Sequence, residues 1–92
     1  MTQPLYSKIN TATYIGISHV LPSSTVICAY EDSYPYIADV YDDITHKRNS
    51  VLDFLDCCQD KITSVVYDNY LRCVWVHLDV PHNLTNELLG KV

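Results

Sequence analysis

Glycine is almost absent from this chain: Gly16 and Gly90 are the only two in 92 residues. Glycines so far apart cannot form a nucleotide-cradling loop, which needs several within a few positions. Turns must therefore rely on Pro, Asn, Asp and Ser. Positive charge is also scarce, with six Lys and Arg against eleven Asp and Glu and a net charge of −5. Phosphate binding is driven by Lys and Arg releasing counterions, so direct binding to nucleic acid is not expected. No apolar run approaches the roughly 20 residues of a membrane helix. The opening MTQPLYSKIN has neither the charged nor the apolar region of a signal peptide, which predicts a cytoplasmic location, a host's cytoplasm if the protein is viral.

Chemistry-bearing motifs are missing as well. Cys28, Cys57, Cys58 and Cys73 are even in number, but without an export signal they read as reduced thiols, which behave as small hydrophobes. His77, Asp79 and His82 in HLDVPH are metal-ligand types. They lack the paired CxxC or HxxxH spacing of a structural zinc site, so no metal and no cofactor is expected. Cys57 or Cys58 can be paired with His46 only on paper, and Asp42 with Asp43 would need a cleft for acid–base work. No catalytic residue is assigned, and the chain reads as a non-enzyme.

What is present begins with Ile62 to Val80, ITSVVYDNYLRCVWVHLDV, the longest apolar run and the home of the only Trp. Its β-branched and aromatic residues suit a pleated surface, and Asp68-Asn69 is the expected two-residue turn between two strands. Ala12 to Leu21 alternates, with Ile15, Ile17, His19 and Leu21 on one face; Thr25 to Tyr30 reads as a central strand, and Tyr36 to Asp42 as a third. Residues 1–11 read as a tether. Ser50 with Asp53 resembles a capping box, followed by the stripe Val51, Leu52, Leu55, Cys58 and Ile62. Pro81 ends the last strand, Asn83 caps a short helix from Leu84 to Leu89, and Gly90 closes it. The expected fold is a single α+β domain over 1–92. It has a mostly antiparallel sheet of about five strands, one helix on a face and a short C-terminal helix.

Carboxylates and tyrosines carry the functional reading. Nine of the eleven carboxylates lie between Glu31 and Asp68. Asp53, Asp56 and Asp60 are spaced three and four apart, which predicts one helix face. The preceding stretch interleaves Glu31, Asp32, Asp39, Asp42 and Asp43 with Tyr34, Tyr36 and Tyr41. Eight tyrosines are too many for so small a core, and exposed Tyr is enriched at protein interfaces. These eleven residues form the candidate partner-binding surface. The expectation is a small acidic interaction protein that occupies the basic, nucleic-acid-binding surface of a partner complex. The narrower expectation is a phage-type inhibitor of a host restriction or CRISPR system (anti-CRISPR or anti-restriction type) that acts as a carboxylate decoy. The same charges would also arise as a merely solvated face. The alternative is a homo-oligomeric structural or regulatory subunit, for example a homodimer, that covers an open sheet face through the strand bearing Trp75 or Val76.

Overall fold

A computed structural model describes residues 3–18, 23–31, 41–70 and 72–90. Among these, α1 (Gln3–Thr11), β1 (Tyr14–Ser18), β2 (Thr25–Tyr30), β3 (Tyr41–Asp43), α2 (Arg48–Cys57), β4 (Ile62–Asp68), β5 (Cys73–Leu78) and α3 (His82–Gly90) follow in chain order. The strands form one five-stranded sheet in the order β3-β1-β2-β5-β4. Every pairing is antiparallel. The fold is α+β, as the residue pattern predicts.

Register explains how the sheet is covered. Ile17 pairs with Ile27 and Ile27 with Val76; Ile15 pairs with Ala29 and Ala29 with Val74. Side chains alternate along a strand, so these residues share one face. They join Ile9 of α1, Val51, Phe54 and Leu55 of α2 and Leu89 of α3 in the main core, which places all three helices on that face. The other face carries a second cluster, with Tyr14, Cys28, Tyr30 and Cys73 buried and Tyr41 and Trp75 packed against them. Tyr30 meets Tyr14 and Trp75 edge-on, with ring centroids 6.3 and 6.1 Å apart.

Local chemistry moves several boundaries. Residues 3–11, expected as a tether, form α1 instead. Pro4 lies in its first turn, where a missing N–H costs nothing. The Arg48 guanidinium closes the other end, donating to the Asn10 and Ile9 carbonyls at 2.8 and 3.3 Å. The expected Ser50–Asp53 cap does not form, because α2 starts at Arg48 and Ser50 is buried within it. Asp43 opens this region instead, accepting from the Thr45 backbone N–H at 2.9 Å and from its hydroxyl at 2.6 Å. A 3₁₀ turn over Thr45–Lys47 then runs into α2.

The expected stripe is partly corrected as well. Phe54 is buried alongside Val51 and Leu55, whereas Ile62 belongs to β4.

The β4–β5 turn is longer than Asp68-Asn69. Asp68 still pairs with Cys73, so residues 69–72 make the connection. The Asp68 carboxylate accepts the Tyr70 N–H at 3.0 Å, and Arg72 takes φ 56°, the left-handed conformation usually left to Gly or Asn. Gly90 lies inside α3 without positive φ, so it is not a left-handed stop, and Asn83 is the second residue of that helix. Of the other predicted strand residues, 19–21 and 36–40 fall outside the described residues.

Two polar ties fasten the helices to the sheet. The Thr25 hydroxyl donates to the Val80 carbonyl at 2.7 Å and lies 2.7 Å from the Thr85 hydroxyl, with both threonines fully buried. Glu31, at the end of β2, takes the Lys8 ammonium at 2.9 Å and the Arg72 guanidinium at 3.1 Å. One carboxylate thereby joins α1 to the β4–β5 turn.

Candidate partner-binding face

The helix α2 is anchored by Val51, Phe54 and Leu55 in the core, so Asp53 and Asp56 emerge on its exposed side. Asp60 lies beyond the helix, on the 3₁₀ turn Gln59–Lys61, and is also exposed. The expected single helical face is therefore a helix end plus the turn that follows it. Among the described residues, no ion pair joins Asp53, Asp56 or Asp60 to a cation. Asp56 accepts only the amide of Gln59, at 3.3 Å.

Several predicted contact residues have other work. The Glu31 carboxylate is gripped by two cations, and the Lys8 hydrogen bond, followed by that of Arg72, holds it below its usual range. It is a tie rather than a free anionic end. Asp43 is exposed on β3, but the hydroxyl and then the N–H of Thr45 occupy its carboxylate and lower its pKa. Asp42 is exposed on the same strand. Tyr41 is half-buried in the cluster beside Trp75 instead of flanking the carboxylates in solvent, and burial raises its pKa. Asp32, Tyr34, Tyr36 and Asp39 lie outside the described residues.

Between α2 and α3 the structure brings together Ser50, Asp53, Phe54, Cys57, Cys58 and Leu88 around a cleft of about 190 Å³. Apolar surface dominates its lining, and Asp53 supplies its only formal charge. The sequence reading missed this feature. The available signal was Leu84 with Leu88, one helical turn apart on a helix that needed only one buried stripe. Both leucines are exposed, at 44% and 40%.

The four cysteines differ in burial. All four are free. Burial pushes Cys28 up to about 12, and burial also raises Cys73 and Cys58. His46 stands before α2 and Cys57 ends it. About 15 Å of helix separates them, too far for a nucleophile and its base. His77 is half-buried on β5, and the His82 ring lies 3.3 Å from the Asn86 amide. Among the described residues, no three His, Cys, Asp or Glu side chains are grouped to hold a metal. No described helix is long and apolar enough to cross a membrane. In comparisons with known proteins, the chain matches no family model, no curated protein and no solved structure.

Proposed function

We propose that this chain is a small acidic interaction protein that binds a basic protein surface through Asp53, Asp56 and Asp60. The supporting observation is a contrast within the molecule. Glu31 and Asp43 are taken up by internal partners, while the carboxylates of α2 and its following turn face solvent without a cation. Like charges on one helix repel, so an opposite charge from outside is the natural relief. Short-stemmed anions in a row also steer cationic partners over long range. In its narrower form, the reading is an inhibitor, of the phage anti-CRISPR or anti-restriction kind, that occupies a nucleic-acid-binding groove in a host's cytoplasm. The test is capture from bacterial lysate with wild type and with Asp53, Asp56 and Asp60 all changed to Lys. Wild type should retain a nucleic-acid-binding complex at low salt and lose it at high salt. Equal capture by the charge-reversed variant, with its circular dichroism unchanged, overturns the reading.

A second reading, self-association, has its own observation. Val76 is fully buried in the main core, whereas Trp75 is only half-buried on the face opposite the helices, and a sheet edge offers a further contact. The open edge is β4. The Glu31 N–H donates to the Arg72 carbonyl at 3.0 Å, and hydrogen-bonded pairs alternate along antiparallel strands. Cys73, Trp75 and His77 therefore turn their main-chain groups toward β4, which leaves those of Val65 and Tyr67 on the free side. Residues 62–67 carry no charge, and Val66 and Tyr67 are 44% and 43% exposed. An unguarded edge of this kind pairs readily with another strand. Pairing of two copies here predicts a concentration-dependent melting temperature that Val66→Lys abolishes. A melting temperature constant over a hundredfold dilution counts against it.

A further inference from the structure

We infer that the cleft between α2 and α3 is an anchor pocket, taking one Leu- or Phe-sized side chain from a cationic segment of the partner. The inference rests on the acidic-face reading and adds what that reading lacks, a feature that selects among cationic surfaces. Size points to a side chain. At about 190 Å³ the cleft is smaller than the roughly 300 Å³ at which small-molecule sites begin. It exceeds the roughly 150 Å³ in which an apolar cavity holds benzene. Its lining supplies the matching chemistry: the Phe54 ring, the Cys57 and Cys58 thiols and Leu88 offer apolar and polarizable contacts and few hydrogen-bonding groups.

Charge decides the occupant. Asp53 stands on the rim, Asp56 lies one helical turn along α2, and Glu87 precedes Leu88 on α3, all three exposed. An apolar anchor reaching the cleft must therefore bring its flanks close to carboxylates. A second copy of this chain fits poorly. Its exposed leucines flank Glu87, Tyr67 precedes Asp68, and each copy carries −5. The complementary segment carries Lys or Arg within one turn on either side of its anchor. The carboxylates then supply steering and the cleft supplies residence time and selectivity.

The test uses the full chain and two fluorescent Lys-rich helical peptides that differ only in a central Phe or Ala. Anisotropy titrations at low salt should show the Phe peptide binding about tenfold to a hundredfold more tightly, the range expected for burying one such side chain. Leu88→Trp, which fills the cleft from an exposed position, should erase that difference and leave a weak, salt-sensitive remainder. An unchanged melting temperature would show that the variant is folded. Equal affinity for the two peptides overturns the anchor and leaves the acidic face standing. Tight Phe-peptide binding that survives Asp53, Asp56 and Asp60→Lys overturns the acidic face and with it the cationic partner. No binding of the Phe peptide overturns the inference outright.

Discussion

The ring of Tyr14 lies folded over Gly16, two residues along its own strand. A β-carbon at position 16 would sit 2.8 Å from the Tyr14 phenol oxygen and 2.9 Å from the nearest ring carbon. Tyr14 is itself buried, between the strand and the edge of Tyr30. Gly16 is thus kept small by a neighbour's side chain rather than by its own backbone, which has no positive φ.

Gly16→Ala should therefore destabilise the chain by about 1–3 kcal/mol, the usual cost of overpacking. In a Tyr14→Ala background the same change should cost much less, because the obstructing ring is gone. Urea denaturation of the four proteins checks this, and additive costs would refute the ring contact as the cause.

Thr25 and Thr85 supply a second test. Thr25→Val leaves the buried Val80 carbonyl without its donor and breaks the 2.7 Å contact to Thr85. A loss of about 1–3 kcal/mol is expected. Thr85→Val should cost less, since Thr25 still reaches Val80. A reversed order in thermal or urea melts would contradict this geometry.

Acid should weaken the tie at the end of β2. The folded-state value of Glu31 is lowered from 4.5, first by the Lys8 hydrogen bond and then by that of Arg72. A lowered carboxyl stabilises the fold above its unfolded value, and the contribution is lost as pH falls through the folded one. Asp43 adds a loss of the same sign. Glu31→Gln should be less stable than wild type at neutral pH and should converge on it in acid. Parallel melting-temperature profiles down to pH 2 would exclude the effect.

Thiol labelling should separate the cysteines by position. Cys57 is exposed, Cys58 half-buried, and Cys28 and Cys73 buried. An aromatic disulfide reagent at pH 8 should modify Cys57 first and Cys58 more slowly. Cys28, pushed up to about 12 by burial, and Cys73 should react only on unfolding. Mass spectrometry of labelled peptides gives the order. Rapid modification of Cys28 in the native protein would overturn the assigned packing.

The strands were legible where their side chains announce a pleated surface. Thr25–Tyr30 has the predicted bounds, and the two strands within 62–80 are where β-branched residues crowd. Short local signals misled. Pro4 and a short polar stretch hid α1, which draws on Ile9 in the core and Arg48 at its end rather than on helix propensity alone. Ser50 looked like a cap because capping and burial place the same residue type before the same apolar stripe. In the candidate site, Asp53 and Asp56 could be placed on a helix by spacing alone. The engagement of Glu31 could not, because its cations come from positions 8 and 72 and meet it only once the sheet has formed. Of the cleft, spacing gave only the Leu84–Leu88 pair, because α3 meets α2 only in the tertiary fold.

Strand order also bears on the route by which the chain folds. β1 joins β2 and β3 within one stretch, and β4 joins β5 through a short turn, so each piece can zip locally. A single long-range seam unites them, with Thr25 opposite Leu78 and Tyr30 opposite Cys73. Closing that seam costs chain entropy before its contacts form, and such topology slows folding. Stopped-flow refolding should therefore slow when Ile27 or Val76, which meet across the seam, is trimmed to Ala. Trimming Tyr41 in the edge strand β3 should chiefly hasten unfolding. The molecule would then be, kinetically, two hairpin-like halves waiting on one closure.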